Sequence, residues 1–362
     1  MTGPNTVTTA GALIATAEAL RRFATDVFVR AGMAPAPAGT VADVLVWANL
    51  RGMDSHGVTR IPRYAELMLT GDLNPNPVMT TPLDTPAAAV LEADRAAGPV
   101  AMTEAMARAV SKARHAAVGL VLVRGTTHTA ALGYYTLLAA QDGMAGVALS
   151  ASGPNMVYHG ARTAGVSTNP ISIAVPGGER GPLVLDMATS VVSLGSLVQA
   201  RKTGQALPAG VAVDGDGEPT TDAQAARVPL PLGGPKGSGL SLMIECLTSL
   251  MVGNPVLAEA LEGTPRGRRH RQNALVLAID LARFGDPARF RQEVMRLTAA
   301  LKALPRRPEV PEILMPGERG QRTFERRSRE GVPVPRAIVE ELRALADRLG
   351  VTMFPASPRP RS

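Results

Sequence analysis

The stretch Val118-Gly-Leu-Val-Leu-Val123, running without a break into Arg124-Gly-Thr-Thr-His128, decides the fold. A short, uncharged run of valine and leucine reads as a strand covered on both faces. Apolar spacing over 131–142 then predicts a helix, and a second apolar run, 145–150, predicts the next strand. Upstream, the same alternation gives a strand over 88–92 and a helix over 99–117. Strand and helix in alternation argue for an α/β sheet with parallel pairs. Further strands are predicted over 171–175, 182–186 and 274–280. Ligands of α/β sheets gather at the carboxyl ends of strands, which makes Thr126-Thr-His128 a candidate site.

Outside this region the chain turns helical. Leu13, Ala17, Leu20, Phe23, Val27 and Val29 predict a helix over 10–33, stopped by Gly32 and Pro35. Thr40 is placed to cap a second helix, 41–51, and a third is predicted over 57–70. Residues 72–87, rich in Pro, Asn and Thr, read as a loop. They mark a boundary between a helical N-terminal part, 1–87, and an α/β part, 88–310. A strongly apolar helix is predicted over 239–252, with further helices near 287–303 and 335–349. The tail, 350–362, is expected to fray. Asp214-Gly-Asp-Gly217 reads as a tight turn, because position 225 is Ala where an EF-hand loop needs Glu.

Composition narrows the class. The 362 residues are 45% hydrophobic and 19% charged, which describes a globular chain able to bury a sizeable core. Aromatics at 3% leave little for stacking on nucleic acid. The net charge of +7 is concentrated late, in Arg266-Gly-Arg-Arg-His-Arg271, in Arg306-Arg307 and between Arg322 and Arg329. Acidic residues are interspersed in the last run, which reads as a solvated face or a funnel for anionic substrates. No nucleic-acid partner is expected. The single cysteine, Cys246, excludes an internal disulfide and is expected to be a buried, inert thiol. No histidine pair stands at a metal-ligand spacing, so no metal is expected. No signal segment opens the chain, and no uncharged apolar run reaches the ~18 residues that a bilayer requires. A cytoplasmic protein without membrane contact is expected.

The chemistry sits in a series of polar islands. Arg51-Gly-Met-Asp-Ser-His-Gly-Val-Thr-Arg60, closed by Tyr64, interrupts an apolar helical pattern. A helix beginning near Gly57 would put His56, Arg60 and Tyr64 on one side. An imidazole, a fixed cation and a phenol could there grip a small carboxylate and move a proton. Leu183-Val-Leu-Asp186-Met-Ala-Thr-Ser190 ends a strand on an Asp able to orient an imidazole or bind a ribose. Pro231-Leu-Gly-Gly-Pro-Lys236-Gly-Ser-Gly239 supplies glycines, a helix N-terminus and a lysine, the parts of a phosphate cradle. It is neither a Walker A loop nor Gly-x-Gly-x-x-Gly, so a Rossmann fold has no support. Val166-Ser-Thr168-Asn169-Pro170 is a polar turn before a strand. His115 and His270 are expected on the surface, and His159 is left open.

In order, these islands are Ser55-His-Gly with Arg60 and Tyr64, His128 with Gly133-Tyr-Tyr135, Thr168-Asn-Pro170, and Asp186-Met-Ala-Thr-Ser190. Pro219-Thr-Thr-Asp222, Gly233-Gly-Pro-Lys-Gly-Ser-Gly-Leu240 and Pro316-Gly-Glu318 follow. Together they resemble the malate/L-lactate dehydrogenase family of the second, non-Rossmann type, over residues 10 to 350. That family also holds ureidoglycolate, sulfolactate and diketogulonate enzymes and cyclic imino acid reductases. The resemblance implies an α/β fold with a non-Rossmann NAD(P)-binding mixed-sheet domain. It also implies a helical domain in which the N-terminal part packs with the C-terminal segment, 311–362. NAD or NADP is the implied cofactor, and a homodimer the implied assembly.

By position, the resemblance implies that His128 is the acid/base beside the reacting carbon, with His56, Ser55 and Asp186 in the same catalytic group. Arg60, Tyr64 and Thr168 would bind the substrate. Ser152, Asp186, Met187, Ala188, Lys236, Gly237 and Gly317 would line the cofactor. The chain departs from the family pattern at Thr126-Thr-His128-Thr-Ala130, where Asn-Ser-x-His-x-Gly is common. Ser167 replaces Gly, Val211 replaces Trp, and Ser238 replaces an aromatic residue.

The expected reaction is hydride transfer between nicotinamide and a small 2-hydroxy or 2-oxo carboxylate. Proton delivery near neutral pH suits imidazole, and a carboxylate beside the reacting carbon needs a fixed cation such as Arg. A cyclic 2-imino acid is the alternative substrate, because only the atom accepting the proton differs. A non-catalytic binding or regulatory protein is the alternative from another class.

Overall fold

In the computed structural model, which describes residues 12–179, 181–265 and 271–356, the chain enters through a short strand. Leu13–Ala15 (β1) precedes α1 (Ala17–Arg30), whose first turn is capped by the Thr16 hydroxyl accepting the Ala19 N–H at 3.1 Å. The helix expected from residue 10 therefore starts later, because Leu13, Ile14 and Ala15 pair with Val334, Pro333 and Val332 near the other end of the chain. α2 spans Pro35–Leu50, opened by a proline whose missing N–H is one that a first turn leaves unpaired anyway. Thr40 lies inside this helix, donating back to Ala36 O, and does not cap it. α3 covers only Ile61–Leu69, after two tight turns at 54–56 and 58–60.

The sheet region follows: β2 (Thr80–Asp84), β3 (Ala88–Glu92), α4 (Gly98–Ala116), β4 (Val118–Thr126), α5 (Gly133–Gln141) and β5 (Met144–Ser152). After the small pair β6 (Met156–Val157) and β7 (Ala164–Val166) come β8 (Ile171–Val175) and β9 (Leu183–Met187). α6 (Leu194–Thr203), a second small pair, β10 (Ala212–Val213) and β11 (Val228–Pro229), and α7 (Pro235–Glu245) lead into a wide π turn over Cys246–Leu250. The chain closes with α8 (Leu257–Leu261), β12 (Gln272–Asp280), α9 (Pro287–Lys302), α10 (Glu318–Glu330), β13 (Val332–Val334) and α11 (Arg336–Leu349).

The main sheet has the order β2-β3-β4-β12-β5-β8-β9. β3 and β4 form a parallel pair and the other neighbours are antiparallel, so the sheet is mixed, as the resemblance implies, with fewer parallel pairs than the alternation of strand and helix suggests. β4 and β5 do run the same way, as a helical crossover requires, but β12 inserts between them antiparallel to both. β2 lies in the segment read as loop. It is an exposed, polar edge strand, paired with β3.

β4 is covered on both faces, as its composition predicts. Val121 and Val123 join the N-terminal helices and α4 in one core, while Leu122 faces the other way in a cluster with Ile244 of α7. Two expectations fail on exposure. Cys246 is half-exposed, because α7 and its π turn leave Leu240, Met243, Leu247, Leu250 and Met251 open on their outer face. The arginines between Arg322 and Arg329 are not simply a solvated face: Arg322 pairs with Glu312 and Glu318, and Arg327 is buried against α2. His270 and most of the first basic run lie outside the described residues, as does the tail from 357. Among the described residues, no helix is long and apolar enough to cross a membrane.

Candidate active site

The site begins where α2 ends. Asn49, buried in the last turn, donates from Nδ2 to Asp54 Oδ1 at 2.7 Å and accepts the Val58 N–H on Oδ1 at 2.7 Å. Gly57 lies against this side chain, so closely that a Cβ would stand 2.1 Å from Asn49 Oδ1. The two turns close over the asparagine, and this is why the helix expected from Gly57 starts only at Ile61. The segment presents Ser55, His56 and Arg60 together. Ser55 Oγ lies 3.0 Å from His56 Nδ1, and Arg60 Nε donates to Ser55 O at 2.7 Å. The first turn of α6, an element the sequence did not reveal, sits on this group: a Cβ on Gly195 would stand 2.6 Å from Ser55 Cβ and 3.6 Å from Arg60 Nη2.

The second histidine comes from the loop between β4 and α5. Thr126 and Thr127 are buried, and each hydroxyl donates to Ala96 O at 3.1 Å. Thr129 donates to Ser150 Oγ at 3.1 Å, and Tyr135 Oη donates to Thr129 O at 2.7 Å. These threonines, of which only Thr126 departs from the family pattern, therefore anchor the loop. Ala130 stands at φ 54°, a left-handed conformation that the commoner glycine adopts without strain.

This loop brings the His128 ring 5.8 Å from that of His56, with the planes 23° apart. Tyr64 Oη donates to His128 O at 2.6 Å and lies 3.0 Å from His128 Nδ1. The phenol has one proton, and the shorter bond takes it, so toward Nδ1 its oxygen is an acceptor. That favours a proton on Nδ1 and leaves Nε2 as a base when the ring is neutral and an acid when it is charged. The Ala130 N–H, 3.3 Å from Nδ1, is the weaker competitor. Tyr64 is thus buried, with its hydroxyl engaged on His128.

Burial holds the His56 imidazole down at about 4, and the Arg60 charge pushes the same way, so His56 is neutral near pH 7. Burial pushes the Tyr64 phenol well above its ordinary range, so it remains protonated.

Asp186, at the end of β9, accepts the Gly133 N–H on Oδ2 at 2.8 Å. Burial raises its carboxyl to about 6, against the opposing pull of that N–H and of the Arg51 charge. Arg51 sits over the Trp47 ring and donates to Gly317 O and Gln321 Oε1, each at 3.0 Å. Pro316 O accepts the Val184 N–H, which seats Gly317 against Val184 of β9. Ser152 Oγ meets Ser167 Oγ at 2.6 Å, and the Ser152 N–H reaches Asn169 Oδ1 at 3.2 Å. Thr168 donates its N–H to Asn155 and accepts that of Thr189. Met187 pairs with Ile171, and Ala188 follows directly. Thr189 O accepts the Leu232 N–H, which ties the glycine loop holding Lys236 and Gly237 to the same edge. His159 borders this loop, donating its N–H to Ser238 Oγ at 2.8 Å.

The second group fits a pyridine dinucleotide. The Thr189 hydroxyl is buried with no partner among the described residues. Gly237 has no room for a side chain: a Cβ would lie 2.5 Å from Leu232 N and from Thr189 O. A backbone cradle, the exposed Lys236 and the N-terminus of α7 suit a pyrophosphate. Sequence reading passed over Asn49, Asp54 and Arg327, which make no chemistry of their own. Arg51 opened the first polar island, but nothing there pointed to Gly317.

The family model described as malate/L-lactate dehydrogenase matches residues 15–343. The chain is 33% identical to ureidoglycolate dehydrogenase (NAD(+)) of Escherichia coli, over 83% of this chain and 86% of that one. It is 34% identical to Delta(1)-pyrroline-2-carboxylate/Delta(1)-piperideine-2-carboxylate reductase of Pseudomonas putida, over 90% of this chain and 93% of that one. Its fold is similar to the solved structure of malate dehydrogenase from Pyrococcus horikoshii, with a TM-score of 0.86 and 30% identity over 94% of this chain and 97% of that one.

Proposed function

The chain belongs to the malate/L-lactate dehydrogenase family, and from that premise we propose that it transfers a hydride between NAD(P) and a small 2-hydroxy or 2-oxo carboxylate. The observation that carries this reading is the His128 ring, stacked on a neutral His56 and held from behind by Tyr64, in one cluster with Ser55 and Arg60. Bound nicotinamide supplies or accepts the hydride. In reduction, His128 donates the Nε2 proton to the substrate oxygen as charge develops there, and in oxidation it takes the proton back. His56, being uncharged, spares the protonated His128 a like-charge neighbour. Arg60 offers its Nη atoms to the substrate carboxylate, since its Nε is held by Ser55 O. In this reading Thr168 borders the substrate from the cofactor side. Ser152, Asp186, Met187, Ala188, Lys236, Gly237 and Gly317 line the dinucleotide.

A cyclic 2-imino acid is the second reading, supported by the similarity to the Pseudomonas putida reductase. The deciding experiment is NADH and NADPH oxidation with a panel of 2-oxo acids and cyclic imino acids. Turnover is expected with at least one substrate, and His128→Ala should lower kcat by about 10²–10⁴-fold. Full activity in that variant would remove His128 as the acid/base. A wild-type protein binding neither cofactor would favour the non-catalytic alternative. We further propose a cytoplasmic homodimer, in which a second copy covers the open apolar face of α7 and its π turn.

A further inference from the structure

Arg327 is 8% exposed, although the run it belongs to reads as a solvated face. Its guanidinium grips Asp54 with both ends, Nη1 to Oδ1 at 2.7 Å and Nη2 to Oδ2 at 3.1 Å, and Nη1 also donates to Asn49 O. Asp54 Oδ1 is shared with Asn49 Nδ2, and Asn49 Oδ1 in turn holds the Val58 N–H. These atoms form the floor of the two turns that present Ser55, His56 and Arg60. At the other end of α10, Arg51 donates to Gly317 O and Gln321 Oε1. One helix therefore touches the segment from Arg51 to Asp54 at both of its ends. A buried ion pair of this kind is weak evidence for stability, and its best-attested use is to select one geometry.

We infer that Arg327 is a positioning residue: through Asp54 and Asn49 it sets the orientation of His56 and Arg60 relative to His128. This rests on the reading of those three residues as the group that binds the substrate and moves its proton. The guanidinium matters for its shape as well as its charge. A lysine keeps the cation but makes a single point contact, which leaves Asp54 free to turn and the Val58 amide loosely held.

The test compares Arg327→Lys and Arg327→Met in the full-length protein. Folding is followed by circular dichroism, NADH affinity by fluorescence titration, and turnover on the best substrate of the panel. In Arg327→Lys the fold and the Kd for NADH are expected to be unchanged, while KM for the carboxylate rises and kcat falls. The combined loss in kcat/KM should be about 10- to 100-fold, as for a misplacement on the order of 1 Å. Arg327→Met should lose more, with lysine giving partial rescue. Independently of turnover, amide exchange at His56, Gly57, Val58 and Arg60 should quicken in both variants while β4 keeps its protection. Loss of NADH affinity and kcat/KM in step with the folded fraction would overturn the inference, and so would unchanged kcat/KM with unchanged exchange. A wild-type protein inactive on the whole panel, with exchange still raised by Arg327→Lys, would count against the catalytic reading and leave the positioning role supported.

Discussion

Asp186 and His56 are both pulled from their ordinary pKa by burial, in opposite directions and with different consequences. For Asp186, a value of about 6 puts the carboxyl near half-protonation just below neutral pH. If its ionised form receives hydrogen bonds from the dinucleotide, Kd for NADH should rise as pH falls below about 6, approaching tenfold per pH unit. Asp186→Asn should flatten that profile, and a flat profile in the wild type would remove Asp186 from the cofactor wall. For His56 the linkage concerns stability. Its folded value of about 4 lies below the ~6.5 of a free imidazole, so the unfolded chain binds the proton first. Stability from this group is full above about 6.5 and is lost as pH falls toward about 4, by on the order of 3 kcal/mol at most. Asp186, with its folded value raised, works the other way between about 4 and 6, so the comparison must be made with His56→Gln. Thermal unfolding of that variant should show a smaller loss on acidification than the wild type. At Ala130 the left-handed φ predicts that Ala130→Gly stabilises the protein, by up to about 1 kcal/mol in denaturant titration.

At the scale of elements, the glycine loop and α7 make the sharpest prediction. In Gly237→Ala, the new methyl group would meet main-chain atoms of Leu232 and Thr189, which cannot swing aside as a side chain would. The start of α7 must shift, and Kd for NADH should rise by about tenfold or more, since roughly 1.4 kcal/mol of lost contact suffices. An unchanged Kd would place the pyrophosphate elsewhere. The strands of the sheet interior were legible because their residues carry the signal themselves: most of β4, β5 and β8 consists of Val, Ile, Leu and Ala. β1 and β2 were not, and for a physical reason. β1 is a strand only because β13 lies beside it, and β2 is an edge whose exposed residues need no apolar pattern. Residues 57–60 did not join the helix expected from Gly57 because Asn49 fills the space under these turns.

For the whole molecule, the apolar face of α7 and its π turn carries the prediction. Leu247 and Met251 are 41% and 54% exposed on a face with no covering element among the described residues. The homodimer proposal predicts a dimer mass for the wild type in light scattering and a monomer for Leu247→Glu. A wild type that stays monomeric at micromolar concentration would sink it. The assembly of the single chain also explains how the two halves of the site meet. β4 delivers His128 and β9 delivers Asp186, while α2 and the turns after it deliver His56, Arg60 and Arg51. α10, from the far end of the chain, touches the α2 group through Arg327 and carries the Gly317 turn to β9.

The sequence by itself determined the α/β character, the placing of the interior strands and the identity of the chemical groups, since hydrophobic pattern and side-chain chemistry are local properties. His56, His128, Arg60, Asp186 and Lys236 could all be named from it. Tertiary structure alone decided which of them act on one another. It placed β12 between β4 and β5, turned the Tyr64 hydroxyl onto His128, held His56 neutral by burial, and sent Arg327 under Asp54. Each of these depends on contacts between residues distant in the chain and on the water those contacts exclude, and no local pattern encodes either.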